Sequence, residues 1–216
     1  MTDFAKLRAQ MVASQLAERQ ITDPLVLDAF LAVPRESFVP EDMATSAYDD
    51  GPLPIGEGQT ISQPYIVGVT VQALGLGGGE RVLEVGTGSG YGAAVLSRIA
   101  REVHTIERLA PLAEAAKARL ASGYPNVTVY EGDGSLGLPE LAPYDAIAVA
   151  ASGPAVPAAL LDQLAVGGRL VIPVGTQESN QVLYRVTRES KVRFREDEVM
   201  KVRFVPLIGA QGWKAD

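Results

Sequence analysis

A glycine-rich segment that opens with an acidic residue is the strongest chemical signal in the sequence. It reads Glu84-Val-Gly-Thr-Gly-Ser-Gly-Tyr91 and follows a short apolar run typical of a β-strand. Glycines let the backbone turn sharply and approach a ligand closely at the carboxyl end of a parallel sheet. A dinucleotide site would favour Gly-x-Gly-x-x-Gly, which is not the spacing here. Because the Glu84 carboxylate would repel a pyrophosphate, the loop predicts a cationic or hydroxyl-bearing ligand.

The loop resembles the first motif of Rossmann-like methyltransferases that use S-adenosylmethionine, whose sulfonium and ammonium groups are both positive. Two more acidic residues, Glu107 and Asp133, follow later apolar runs. Glu107 can accept hydrogen bonds from both ribose hydroxyls, and Asp133 can accept one from an adenine amino group. Together these segments predict the cofactor-binding residues Glu84, Gly86, Thr87, Gly88, Ser89, Gly90, Tyr91, Glu107, Arg108, Gly132, Asp133 and Gly134.

Short apolar runs alternate with helical runs in the middle of the chain. The predicted strands are 81–85, 103–106, 127–130, 144–149 and 169–174, and the predicted helices between them are 92–100, 109–120 and 157–164. Continuous apolar strands joined by helices favour a parallel sheet that is covered on both faces. The fold class predicted is therefore α/β, a doubly wound and mostly parallel Rossmann-like sheet.

Helices and a long connection precede this core. Apolar residues spaced for one helix face begin at Phe4 and end at Leu16, and Asp23 followed by a proline predicts the start of a second helix. The stretch 39–58 lacks periodicity, which favours a long ordered loop or a lid. A third helical run follows at 65–74.

The hydrophobic period changes near the end of the chain. Residues 191–195 and 201–205 alternate basic and apolar side chains, which predicts antiparallel strands with one wet face. Lys201 and Arg203 could attract an anionic substrate or form a solvated face, and Trp213 could pack on the sheet or rim a groove. We expect one domain, residues 1–216, made of N-terminal helices (1–79), an α/β core (80–175) and C-terminal strands (176–216).

The composition excludes several classes of chemistry. The 216 residues include no cysteine, a single histidine (His104) and a net charge of −7. Thiolate chemistry and cysteine zinc sites are therefore excluded, and we expect no metal and a structural role for His104. An acidic chain is repelled by phosphate backbones, so we expect no nucleic acid partner. Without a leader or an apolar run of roughly 20 residues, we expect a cytoplasmic protein that does not bind membranes.

Two segments are more particular than the glycine loop. Gly58-Gln-Thr-Ile-Ser-Gln-Pro-Tyr-Ile66 and Val202-Arg-Phe-Val-Pro-Leu207 make the chain resemble the protein-L-isoaspartate (D-aspartate) O-methyltransferase family. Further matches, in order along nearly the whole chain, are 132–134, 143–147, 156–164 and 167–175. Departures at 150–154 and Val166 touch no residue assigned to chemistry.

The resemblance implies an enzyme that uses S-adenosylmethionine and releases S-adenosylhomocysteine. Its acceptor would be the α-carboxylate of L-isoaspartyl and D-aspartyl residues in damaged proteins and peptides, whose repair the methyl ester initiates. We expect it to act as a monomer. Two other functions stay open: a methyltransferase for a different acceptor, and a non-catalytic module that binds S-adenosylmethionine.

The acceptor site predicted from this resemblance centres on Ser62. A carboxylate is already ionised at neutral pH, so it needs no general base, and the Ser62 hydroxyl can position it by donating one hydrogen bond. Ser62 is thus the predicted catalytic residue, and its position before a helix also suits an N-cap, alone or together with the catalytic role. The residues predicted to position the substrate are Gln59, Thr60, Ile61, Val205, Pro206 and Leu207.

Overall fold

The computed structural model describes residues 2–176 and 180–214. Its α-helices are α1 (Phe4–Met11), α2 (Pro24–Ala32), α3 (Pro64–Leu74), α4 (Tyr91–Ser97), α5 (Ala110–Leu120) and α6 (Ala158–Gln163). Its strands are β1 (Leu53–Gly56), β2 (Gln59–Ile61), β3 (Arg81–Val85), β4 (Glu102–Glu107), β5 (Val127–Glu131), β6 (Tyr144–Val149), β7 (Leu164–Val174), β8 (Gln181–Arg188) and β9 (Phe194–Val202). Within the described residues, no helix is both long and apolar enough to cross a membrane.

Seven of the strands form one sheet in the order β5-β4-β3-β6-β7-β8-β9. The first five strands in that order pair in parallel, while β8 and β9 pair antiparallel. Helices α3 to α6 connect or flank the parallel strands, as continuous apolar strands require. The doubly wound, mostly parallel α/β fold with N-terminal helices and antiparallel C-terminal strands is confirmed.

The two faces of the sheet carry two separate apolar cores. Val82 belongs to the core that packs against the N-terminal helices, whereas its neighbour Leu83 belongs to the core on the opposite face. Successive side chains of a strand point to opposite faces, so one apolar run supplies both cores. Tyr91 and Phe30 lie in the first core, with their rings 6.0 Å apart.

The C-terminal strands differ from their predicted positions. Residues 191–193 lie in the turn between β8 and β9, where Glu189 donates its backbone N–H to the carbonyl of Arg193. β9 ends at Val202, so Phe204 and Val205 have left the sheet. The prediction of strands at 191–195 and 201–205 is wrong in its boundaries because alternation over five residues does not distinguish a strand from its flanking turn.

The N-terminal region is also more structured than predicted. The first helix continues past α1 as a π-helical turn, Val12–Leu16, rather than as one α-helix. The stretch 39–58, predicted to be a loop, contains a 3₁₀ helix, Glu41–Ser46, and the strand β1. β1 pairs antiparallel with β2 to form a separate two-stranded sheet. The hairpin brings residues 59–61 to the edge of the pocket described below.

Candidate active site

A pocket of about 170 Å³ opens at the carboxyl ends of β3, β4 and β6. The predicted site residues that line it are Gln59, Thr60, Ile61, Ser62, Glu84, Gly86, Thr87, Gly88, Ser89, Tyr91, Glu107, Arg108, Gly134, Val205, Pro206 and Leu207. Gly90, Gly132 and Asp133 are not among its lining residues. The fold therefore brings three parts of the chain to one cavity: the predicted acceptor segment (59–62), the glycine loop (84–91) and the C-terminal segment that follows β9 (203–213).

The glycine loop has the backbone conformation that its composition predicts. Gly86, Gly88 and Gly90 have φ angles of 91°, 51° and 91°, a region that residues with a Cβ rarely adopt. The loop is held at its start by the backbone N–H of Gly86, which donates to the carbonyl of Ile106 at 2.9 Å. Its middle is held by Glu107, whose Oε2 accepts the backbone N–H of Gly88 at 2.9 Å.

Glu84 places a buried carboxylate against the pocket. Its Oε2 accepts a hydrogen bond from the Thr105 hydroxyl at 2.6 Å, and the Thr105 hydroxyl also lies 2.6 Å from that of Thr87. Burial raises the pKa of Glu84 to about 8; the Thr105 hydrogen bond opposes this rise and the charge of Glu107 adds to it. In the part of the chain that the structure describes, Glu84 has no ion pair with a lysine or arginine.

Gly92 makes room for that carboxylate. An ideal Cβ at position 92 would lie 2.1 Å from Oε1 of Glu84, far closer than two such atoms can approach. Gly92 is the second residue of α4 and also lines the pocket. The helix can thus start directly over the Glu84 side chain only because position 92 carries no side chain.

Asp133 lies beside the pocket and binds the C-terminal segment. Its Oδ1 accepts the backbone N–H and the hydroxyl of Ser135 at 2.9 and 2.6 Å, and its Oδ2 accepts the backbone N–H of Ala210 at 2.7 Å. Burial acts to raise the pKa of Asp133, but these hydrogen bonds and the charge of Arg108 lower it overall. The adenine contact predicted for Asp133 stays a prediction.

Ser62 lies between β2 and α3 and lines the pocket. The N-cap of α3 is Gln63, so the alternative interpretation of Ser62 as the helix cap is wrong. Gln63 is held in turn by Asp50, whose Oδ1 accepts its side-chain amide at 2.7 Å. Among residues 2–176 and 180–214, no protein group forms a hydrogen bond with the Ser62 hydroxyl, and neither Gln59 nor Thr60 forms a side-chain bond to Ser62.

The C-terminal segment forms another wall of the pocket. The backbone N–H of Ser152 donates to the carbonyl of Val205, and the carbonyl of Ser152 accepts the backbone N–H of Leu207, both at 2.8 Å. Trp213 donates its backbone N–H to the Leu207 carbonyl at 2.7 Å and its indole N–H to the Ser152 carbonyl at 3.0 Å. Trp213 thus locks the segment in place and does not line the pocket. Lys201 and Arg203 are exposed and do not line it either.

Several lining residues were not predicted from the sequence. α3 contributes Ile66 and Thr70, which are four residues apart and therefore share one face of the helix. That spacing was visible in the sequence, but it equally suits a helix that packs on the sheet. His104, by contrast, does not line the pocket: it is buried, with Nδ1 3.3 Å from the Tyr130 hydroxyl.

Comparison with known proteins identifies the family. The family model described as protein-L-isoaspartate(D-aspartate) O-methyltransferase matches residues 6–212. The chain belongs to this family. A Rhodopseudomonas palustris (strain HaA2) protein-L-isoaspartate O-methyltransferase 1 is 60% identical over 213 residues, which are 98% of this chain and 87% of the relative.

Solved structures of the family have the same fold. One protein-L-isoaspartate O-methyltransferase structure matches with a TM-score of 0.84 and 30% identity, over 95% of this chain and 67% of the other. A second, from Plasmodium falciparum and described as a member of the family, was solved in complex with S-adenosyl-L-homocysteine. It matches with a TM-score of 0.79 and 26% identity, over 96% of this chain and 99% of the other.

The pocket of this family member fits S-adenosylmethionine, the cofactor of the family. Glu84 is a buried carboxyl group without a protein cation in the described residues, so a positively charged ligand would favour its ionised form and balance its charge. Glu107 uses one lone pair of each oxygen on the backbone N–H groups of Gly88 and Leu109. A carboxylate has about four lone pairs, so acceptor capacity for hydroxyl groups remains.

Proposed function

We propose that this chain methylates the α-carboxylate of L-isoaspartyl and D-aspartyl residues in damaged proteins, and so initiates their repair. Its family membership and the identity of its curated relatives support this function over a different acceptor or a non-catalytic module. The observation that carries it is one pocket that contains both the Ser62 hydroxyl, free of protein partners in the described residues, and the buried Glu84 carboxylate.

The first half of the site holds the cofactor. When bound, S-adenosylmethionine would supply a methyl group on a positively charged sulfur: the acceptor oxygen would attack the methyl carbon, the C–S bond would break, and S-adenosylhomocysteine would leave as a neutral thioether. The Glu84 carboxylate would balance positive charge on the ligand, and the positive-φ glycines let the backbone come close to it. The Glu107 carboxylate would accept the ribose hydroxyls with its remaining lone pairs.

The second half holds the acceptor. A carboxylate is already ionised at neutral pH, so the site needs to orient it and exclude water rather than remove a proton. The Ser62 hydroxyl would donate to one oxygen of that carboxylate, which leaves the other oxygen to attack. Ile61 and Leu207 are buried apolar residues of the lining and would exclude water from the acceptor. Val205 and Pro206 also line the pocket, as do Gln59 and Thr60 of strand β2.

We further propose that the enzyme acts as a monomer, because residues of a single chain supply both halves of the pocket. Its mass of 22.8 kDa in the monomeric state can be checked by light scattering during size exclusion. The cytoplasmic location and the absence of nucleic acid and metal partners stay predictions from the sequence.

Paired peptides test the proposed activity. Two peptides of one sequence, one with L-isoaspartate and one with L-aspartate, are incubated with the protein and S-adenosylmethionine labelled in its methyl group. We expect base-labile label in the isoaspartyl peptide alone. Equal labelling of both peptides would contradict the substrate assignment. Tight binding of S-adenosylhomocysteine without transfer to any peptide would instead favour the non-catalytic module.

A further inference from the structure

Arg35 is a charged residue that lies wholly inside the protein. Its exposed fraction is 0%, and it stands in a 3₁₀ helix, Arg35–Phe38, that follows α2. Its Nε donates to the carbonyl of Ala47 at 2.7 Å, and its Nη2 donates to the carbonyl of Ser62 at 2.8 Å. The guanidinium carbon lies 4.8 Å from the ring centre of Tyr91, a residue of the glycine loop and the pocket lining.

The guanidinium has no carboxylate partner within the residues that the structure describes. Its Nη1 has no hydrogen-bond partner there either, while its Nε and Nη2 donate to two carbonyls and the group lies beside the Tyr91 side chain. A buried charge that is not paired is costly, and a leucine or methionine would fill the same space without that cost. An apolar side chain could not donate the two hydrogen bonds to backbone carbonyls, so the role of Arg35 should lie in these bonds.

The position of the Ser62 carbonyl indicates that function. The backbone of Ser62 joins the end of β2 to Gln63, and the Gln63 side chain is tied to Asp50. Arg35 holds the carbonyl that lies between these two anchors. Because a carbonyl and a side chain leave the same Cα, a fixed carbonyl restricts the directions in which the Ser62 hydroxyl can point.

We propose that Arg35 is a positioning residue for the methyl acceptor, which acts by fixing the Ser62 backbone so that the Ser62 hydroxyl faces the pocket. This inference rests on the proposed role of Ser62 in orienting the acceptor carboxylate. Arg35 itself is not part of the pocket lining, so it acts through Ser62 and not by contact with the substrate.

A double-mutant cycle tests this inference. Ser62→Ala, Arg35→Lys and the double variant are compared with the wild type by kcat and KM for an isoaspartyl peptide and by Kd for S-adenosylhomocysteine. We expect Ser62→Ala alone to lower kcat/KM about tenfold to a hundredfold, as for the loss of a hydrogen bond to a charged group. We expect Arg35→Lys to lower it by a similar factor, with the S-adenosylhomocysteine Kd changed less than about threefold.

The coupling between the two residues decides the result. In the Arg35→Lys background, Ser62→Ala should lower kcat/KM by less than about threefold further, because the hydroxyl is already misplaced. Additive losses would overturn the inference and leave the role of Ser62 intact. A silent Ser62→Ala in the wild type would contradict the proposed role of Ser62 itself, and the inference with it.

Arg169→Lys is the matched control. Arg169 also donates from its guanidinium to two backbone carbonyls, those of Leu74 and Gly75, but outside this pocket. In that background Ser62→Ala should keep its full effect, and a reduced effect would overturn the inference. If Arg35→Lys does not fold, Arg35→Gln replaces it in the cycle.

If neither variant folds, nuclear magnetic resonance of the wild type decides. The Arg35 guanidinium signals should shift when the isoaspartyl peptide binds to the S-adenosylhomocysteine complex. Signals that do not move on saturation with peptide would overturn the inference.

Discussion

Glu107, the last residue of β4, accepts the backbone N–H of Gly88 at 2.9 Å and that of Leu109 at 3.0 Å. One carboxylate thus joins the middle of the glycine loop to the residue before α5. The side chain is buried and lines the pocket, so the group that fixes the loop is also available to a ligand. Loop geometry and cofactor affinity should therefore respond to the same substitution.

We predict that Glu107→Gln weakens binding of S-adenosylhomocysteine about tenfold to a hundredfold. The amide replaces one acceptor oxygen by an NH₂ group that faces a backbone N–H, so one hydrogen bond is lost and two donors meet. Such a loss costs about 1–3 kcal/mol. Isothermal titration calorimetry measures the Kd directly.

Glu131→Gln is the matched control for this change. Glu131 pairs in register with Glu107 at the end of the neighbouring strand, but its side chain is exposed and does not line the pocket. Its substitution should alter the Kd by less than about twofold. Equal losses in both variants would show that general electrostatics, and not the bonds of Glu107, hold the cofactor.

Glu84 predicts an unusual dependence of stability on pH. Burial raises the pKa of its carboxyl to about 8, from an ordinary value of 4.5. Between these values the unfolded chain has lost this proton while the folded protein retains it, so the folded protein binds more protons. The contribution that this raised pKa makes to the free energy of unfolding is therefore full below pH 4.5 and is lost as pH rises towards 8.

We expect Glu84→Gln to remove the loss of stability that Glu84 causes as pH rises. Urea denaturation of the ligand-free protein at several pH values between 5 and 8.5 measures the free energy of unfolding of wild type and variant. The stability of the variant relative to the wild type should increase with pH over this range. Glu140→Gln, which removes an exposed carboxyl, is the control and should follow the wild type. A constant difference between Glu84→Gln and wild type would contradict the protonated state of Glu84.

We predict that Gly92→Ala is strongly destabilising although it lies in a helix. Alanine favours a helix over glycine by about 1 kcal/mol. The added Cβ would lie 2.1 Å from Oε1 of Glu84, however, and the clash should outweigh that gain. Thermal unfolding should show a lower Tm and titration a weaker affinity for S-adenosylhomocysteine.

Two further variants test the cause of that clash. Gly79→Ala, where an added Cβ meets nothing within 4 Å, should leave the Tm nearly unchanged. Combining Gly92→Ala with Glu84→Asp shortens the obstructing side chain and should recover part of the lost stability. A Gly92→Ala protein as stable as the wild type would show that Glu84 can move aside at little cost.

Sequence patterns predicted the centre of the fold well. β3 and β6 begin and end at the predicted residues because each is a short, mostly apolar run; a glycine follows β3 and a proline precedes β6. A strand that is buried on both faces carries apolar side chains at successive positions, so the sequence of the strand itself indicates its burial. β1 was not predicted, since its four residues include a proline and a glycine and depend on pairing with β2.

Long-range contacts explain what the sequence could not predict. A charged side chain such as Arg35 is usually exposed, and no local pattern indicates that it lies buried behind Ser62. The same holds for Asp133, since its hydrogen bond to Ala210 joins residues 77 positions apart. The acidic residues at the strand ends could be predicted from the sequence, but those of their hydrogen-bond partners that come from distant parts of the chain depend on the fold.

Asp133→Asn should loosen the C-terminal wall of the pocket. The amide can keep the bonds from Ser135 on its oxygen, but its NH₂ group then faces the backbone N–H of Ala210 and that bond is lost. We expect amide hydrogen exchange at Ala210 and Gln211 to accelerate about tenfold or more, as for the loss of about 1–3 kcal/mol of local stability. The KM for an isoaspartyl peptide should rise with it, because the same segment continues into Leu207 of the pocket lining.

Asp162→Asn, at an exposed position of α6, is the control and should leave exchange at Ala210 unchanged. Unchanged exchange in Asp133→Asn would contradict the anchoring role of the carboxylate.

Titration with S-adenosylhomocysteine separates this role from the adenine contact predicted from the sequence. A Kd weakened tenfold or more would support an adenine contact as well, whereas a Kd within about threefold of the wild type would limit Asp133 to holding the C-terminal segment, since a lost hydrogen bond to the ligand costs more than that.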